Sequence, residues 1–242
     1  MLHRMTRCAL ILGLLSLAIG SARSFAADAA PAGKIKLLLV YNGGHDFKTF
    51  RSVTTPVLEK TGAFDVTVAE NQNALKIDNL KKFDEVLFFG SGPDFTDPAQ
   101  EKGLDEFVAG GGGMAGVHAT DSHKKSEVYW RLIGGRFIGH GHEKFTVYLA
   151  EKKHPVTEGM KDFQIDDETY RNNYCPEAKM ESLGHMKHGK DQESMVWVQE
   201  VGKGRVFNTT LGHGREAWVN PEFQRLLVRG LYWAAGRQPK DP

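Results

Sequence analysis

This chain has almost nothing with which to brace itself covalently. It contains 2 cysteines in 242 residues, Cys8 and Cys175. Cys8 lies in a leader that is expected to be removed, so the mature chain can form no intramolecular disulfide, and stability must come from a packed core. A basic excess is missing too, with 31 Lys and Arg against 30 Asp and Glu. That balance argues against nucleic acid or an anionic membrane as a partner, since both would need clustered positive charge. No apolar run reaches the roughly 20 residues that a membrane span requires. The longest, Ala9–Ile19, follows Arg4 and Arg7 and precedes small residues around Ser24-Phe25-Ala26. This order of charged, apolar and small segments is that of a secretory signal. Residues 1–26 are therefore expected to be a signal peptide, 27–33 a flexible lead and 238–242 a short tail, with the mature protein exported to the periplasm without a membrane anchor. Cleavage would remove three arginines and no acid, leaving a formal charge of −2.

Several catalytic signatures are also absent. There is no G-x-S-x-G elbow and no H-E-x-x-H pair. A literal G-x-G-x-x-G does occur at Gly111, Gly113 and Gly116. A helical pattern precedes it and an apolar, strand-like run follows, the reverse of a dinucleotide fingerprint. It reads as a helix-to-strand turn, and no nicotinamide cofactor is expected. Cys175, in NNYCPE, is far from any strand-to-helix elbow, so thiol catalysis is not expected either.

What the chain does have is alternation of strand and helix. IKLLLVY (35–41) is a continuous apolar run of the kind buried on both faces of a sheet. Strand patterns recur at 64–69, 84–90 and 114–118, separated by helical spacing over 49–61 and 98–109, and a further helix is expected at 126–133. This order predicts a parallel, doubly wound sheet in one α/β domain over 34–237. Short strands at 145–150, 194–199 and 205–210 follow, the last two joined by a hairpin-like EVGKG, and a helix over 222–235 closes the chain.

The histidines gather in glycine-flanked stretches. NGGHDF (42–47) follows the first strand and GVHATD (116–121) ends the fourth, which places His45, Asp46, His118 and Asp121 at carboxyl ends of parallel strands. That edge is where open α/β sheets bind ligands. LGHGRE (211–216) holds His213, FIGHGHEKF (137–145) holds His140 and His142, and DDETY (166–170) adds Glu168 beside Tyr170. Histidine and carboxylate together suit Zn²⁺ or Mn²⁺. The expected metal set is His118, His140, His142, Glu168 and His213. His45 and Asp46 are candidates for proton transfer or substrate contact, and Asp121 for orienting a histidine. Phe47, Arg136, Tyr170 and Arg215 are candidates for substrate binding. Asp166 and Asp167 read as a solvated acidic turn, Glu143 as pointing away from the two histidines beside it, and His123, His154, His185 and His188 as surface residues.

In order along the chain, NGGHDF, GVHATD, IGGRFIGHGH, HPVTEGM with DFQIDDETY, and WVQEVGKGRVFNTTLGHG with the terminal RGLYWAAG resemble the trehalose-utilisation (ThuA-like) family over about residues 34–237. The resemblance implies a flavodoxin-like three-layer sandwich similar to class I glutamine amidotransferases, with His118 near the position of their catalytic cysteine. It also implies a small carbohydrate as ligand, a disaccharide or its 3-keto derivative, processed by hydrolysis or elimination. Two other readings are compatible with these residues: a non-catalytic sugar-binding or accessory protein on an amidotransferase-like scaffold, and a metal-free hydrolase that uses Asp and His alone.

Overall fold

Alternation along β1 (Ile35–Tyr41) decides how the layers form. Ile35, Leu37 and Leu39 join one core cluster, and Leu38 and Val40 join another. Successive side chains of a strand point to opposite faces, so a strand apolar at both parities needs cover on both sides. β3 (Glu85–Phe89) divides likewise, with Leu87 and Phe89 on one side and Val86 and Phe88 on the other. Helices α1 (Phe47–Lys60) and α6 (Pro221–Ala234) supply the first cover through Phe50, Leu58, Phe223 and Leu231. The second comes from α3 (Pro98–Ala109) and α4 (Glu127–Ile133) through Leu104, Val108, Tyr129 and Leu132. The computed structural model describes residues 33–90, 92, 94–123 and 125–242. The expected signal peptide, and the expected lead up to residue 32, lie outside them.

Among the described residues the sheet has nine strands in the order β2-β1-β3-β4-β9-β8-β7-β5-β6. β2 (Phe64–Ala69), β1, β3, β4 (Gly113–Val117) and β9 (Gly204–Thr209) run parallel. The four pairings that add β8 (Asp191–Val201), β7 (Glu181–His188), β5 (Gly135–Leu149) and β6 (Phe163–Tyr174) are all antiparallel. The expectation of a mainly parallel sheet is therefore corrected: the sheet is mixed, and only its first five strands are doubly wound. The short hairpins closed by His188↔Asp191 and Val201↔Gly204 impose this on β7, β8 and β9, because tight connections join antiparallel neighbours.

β5 is more than twice as long as the run 145–150 expected for it, and β6 and β7 are strands where none was expected. Much of the ribbon is polar on both faces, so it lacks the apolar alternation by which a strand is read from sequence. Only Tyr148 and Leu149 of β5 pair with β7, while Gly135 to Val147 pair with β6. The GGGG stretch forms the turn from α3 into β4, as its context indicates.

Candidate active site

Three parallel strands deliver three histidines to one edge. His45 lies four residues past the end of β1, His118 directly after β4, and His213 four residues past β9. The chain reverses its winding direction between β1 and β3, and ligands of open α/β sheets bind beside such a reversal. Gly43 and Gly44 carry φ of +102° and +91°, which lets the chain turn back after β1 and bring His45 over the strand ends. A ligand atom from each of His45, His118 and His213 can be chosen so that all lie within 4.8 Å of one another.

His118 anchors the group. It is fully buried and, at φ +58°, is the only non-glycine residue with positive φ among the described residues. A left-handed backbone at a strand-to-helix junction is a strained position, of the kind that collects at functional sites. Its Nδ1 lies 2.9 Å from the Thr210 carbonyl oxygen, which can only accept, so Nδ1 carries the proton. Nε2 therefore faces the site, 3.2 Å from His213 Nδ1, 3.3 Å from the Tyr170 hydroxyl and 3.4 Å from Glu168 Oε2.

The ribbon brings Glu168 to the histidines. Its Oε1 lies 3.1 Å from His213 Nδ1 and 3.5 Å from His140 Nδ1. Burial pushes this carboxyl up, but a hydrogen bond from His118 in its protonated form and the charges of His118, His213 and His140 outweigh it and hold the group below its ordinary value. Burial, reinforced by His118 and His213, pushes the imidazole of His45 down to about 4 against a smaller upward pull from Glu168. Burial lowers His213 as well, and Glu168 opposes that shift. Tyr170, buried beside His118, is raised by desolvation first and then by Asp121 and Glu168, so its phenol keeps its proton.

Asp167 is the site residue that sequence reasoning missed. Read as part of a solvated turn, it is 1% exposed. Its Oδ2 accepts from Gly212 N–H at 2.6 Å, and its Oδ1 accepts from His213 N–H at 3.0 Å and Glu168 N–H at 2.9 Å. Burial raises its carboxyl more than His118 and these three donors lower it. Consecutive acids on β6 thus grip one loop, Asp167 by its backbone and Glu168 by its imidazole. Gly212, at φ +108°, makes that approach possible, because a side chain there would be strained and would press on Phe223 and Val117. No local pattern marks Asp167, since the loop it holds is 45 residues away.

The remaining expected residues fall into two groups. His140 and His142 share a face of β5 with their partners Tyr170 and Glu168, while Glu143 is paired with Asp167. His140, half exposed, packs 5.8 Å from the Tyr170 ring, so it borders the cluster. His142, 56% exposed, instead pairs with Asp166 at 3.1 Å and sits 6.2 Å from the His213 ring, outside the three-histidine group. Asp46 is exposed and caps α1, accepting from the backbone and hydroxyl of Thr49. Phe47 is 7% exposed and stacked on Tyr41.

Arg136 is bonded to Glu127 and the Ser126 carbonyl and lies over Trp130, and Arg215 is exposed at the start of the short helix α5 (Arg215–Trp218). Asp121 is 1% exposed beneath the site, where its charge raises both Tyr129 and Tyr170. His123, expected at the surface, is buried instead. Its Nε2 meets Asn42 Nδ2 at 3.0 Å and its Nδ1 the Thr120 carbonyl at 3.1 Å, which ties the β1 and β4 loops together.

The profile of the trehalose-utilisation family (ThuA) matches residues 37–234. The fold is similar to that of a putative ThuA-like protein from Parabacteroides merdae, with a TM-score of 0.72 and 23% identity over 86% of this chain and 93% of that one. A second such protein, from Bacteroides uniformis, gives 0.69 and 20% over 87% and 95%. A β-galactosidase from Rahnella sp. R3 shares the fold over 31% of its own length, with a TM-score of 0.61 and 12% identity. No curated protein matches the chain.

Proposed function

We propose that this chain, which belongs to the trehalose-utilisation (ThuA) family, is a carbohydrate-processing enzyme whose reaction centre is His45, His118 and His213 with Glu168. The observation that carries this reading is the convergence of three imidazole ligand atoms within 4.8 Å, from three separate strand ends. Structural histidines seldom crowd so closely, because each would destabilise its neighbours once protonated.

The donor set fits a divalent metal, Zn²⁺ or Mn²⁺. His118 presents an Nε2 lone pair whose ring is fixed through Nδ1–H by a backbone carbonyl, the support that metal-ligating histidines ordinarily have. His45 is neutral down to about pH 4, and Glu168 is held ionised. Such a metal would act as a Lewis acid toward a substrate oxygen.

The chain's own residues support the rest. The Tyr170 phenol keeps its proton and can donate a hydrogen bond to a sugar oxygen. His140, with Nδ1 turned to the Gly141 carbonyl at 3.2 Å, has Nε2 left as a proton acceptor. A ketone at C3 of a glycoside acidifies the C2–H. A base there can take that proton while the C1–O bond breaks and the leaving alcohol is reprotonated. A glycoside that carries this ketone, such as a 3-keto-disaccharide, is the substrate class for this step, and an unoxidised disaccharide would instead be cleaved by hydrolysis. The leader-like residues 1–26 support an exported, periplasmic location.

Elemental analysis of the purified protein, paired with turnover of a 3-keto-glycoside, tests this reading. About one metal ion per chain is expected, with metal and turnover both lost in His118→Ala and His213→Ala. Variants that keep both would overturn it.

A further inference from the structure

A cleft of about 780 Å³ runs along α1, and its lining includes His45 together with Tyr41, Phe47, Arg51 and Glu70. It therefore opens directly beside the histidine cluster. Its size lies in the range of sites for small ligands, about 300–1,000 Å³, with room for more than one sugar ring. The aromatic part of its wall is the stacked pair Tyr41 and Phe47, with ring centroids 4.5 Å apart. Lys48 and Arg51 line it on α1, three residues apart on one helical face. Asp46 and Glu70 line it as well, so its charges balance. Pro56, inside α1, has no N–H, which leaves the carbonyl of Ser52 without its usual helical donor, and both residues line the cleft. Balanced charge, a backbone carbonyl relieved of its i+4 donor and an aromatic wall suit a neutral polyhydroxylated ligand better than an anion.

We infer that the cleft along α1 is a saccharide subsite that takes the second ring of a neutral glycoside whose first ring lies at the histidine cluster. This rests on the function proposed above. The subsite supplies the sugar contacts that Arg136, committed to Glu127 and Ser126, does not offer.

Titration calorimetry of the full chain with glucose, trehalose and glucose 6-phosphate tests the inference. Trehalose is expected to bind at least about tenfold more tightly than glucose, and glucose 6-phosphate no more tightly than glucose. The double variant Arg51→Ala/Glu70→Ala, shown by its melting curve to be folded, should lose the gain for trehalose and keep glucose binding unchanged. Equal affinity for the two neutral sugars, a gain that survives the double variant, tightest binding of the phosphate, or no binding of any of the three would each overturn the subsite. If His118→Ala and His213→Ala keep metal and turnover while the disaccharide gain persists and is lost in the double variant, the reaction centre is wrong and only the cleft's role in holding a second ring stands.

Discussion

The Nδ1 of His118 and the carbonyl oxygen of Thr210 lie 2.9 Å apart, and that single contact fixes which nitrogen of the buried imidazole faces the site. It ties the residue after β4 to the residue after β9, so the junction of two neighbouring parallel strands orients the central histidine.

The backbone at this position gives a first prediction. A left-handed conformation costs a residue with a Cβ about 1–2 kcal/mol relative to glycine. His118→Gly should therefore be more stable than His118→Ala by about 1 kcal/mol, although both empty nearly the same space and neither should bind metal. Urea denaturation of the two variants measures the difference, and equal stability would show that φ +58° carries no strain.

Asp167 gives the second. In Asp167→Asn, one carboxylate oxygen becomes an NH₂ facing backbone donors, so at least one of the N–H groups of Gly212, His213 and Glu168 loses its acceptor. Partners behind metal ligands typically contribute 10–100-fold in affinity. Zn²⁺ affinity should fall by at least about tenfold, read by competition with a chelator. A lowered melting temperature with unchanged affinity would reduce Asp167 to a purely structural role.

The histidine pair of the ribbon separates a core role from a peripheral one. His142 is exposed and pairs with an equally exposed Asp166, and such a pair contributes little. His142→Ala should stay within about 0.5 kcal/mol of the parent and keep its metal, whereas His45→Ala should lose metal. Metal content of the two variants decides the assignment.

Glu85 sets a pH dependence remote from the site. It begins β3, at the edge opposite the histidine cluster, with both carboxylate oxygens buried and without a hydrogen-bond partner among the described residues. Burial, with a smaller contribution from Asp84, raises its carboxyl well above 4.5. The folded protein then binds a proton that the unfolded chain releases, so stability falls as pH rises from about 4.5 toward the raised value. Glu85→Gln should flatten that fall and stabilise the protein at pH 8 by at least about 1 kcal/mol, with little change at pH 4. Denaturation curves at the two pH values test it.

His123 works in the opposite sense. Burial lowers its imidazole below 6.5, so the folded state holds it neutral. Its contribution is complete above pH 6.5 and is lost as pH falls through the lowered folded value. Part of the acid sensitivity of the parent should thus be missing in His123→Gln.

The sequence by itself determined the parallel half of the fold. IKLLLVY, DEVLFFG and MAGVH are apolar at both parities, and only a strand covered on both faces can bury them. It also placed His45 and His118, because a residue directly after such a strand, or a few residues beyond it, must lie near its carboxyl edge. Only the tertiary structure decided the rest of the site. The β5–β6 ribbon lacks an apolar pattern of its own, so its partner and register came from packing, and these set Glu168 rather than His142 against the histidines. His123 and Asp167 looked solvated because their partners, Asn42 and Gly212, are 81 and 45 residues away. A polar side chain shows in sequence what it can bond to, but the partner that makes its burial tolerable is supplied by the fold.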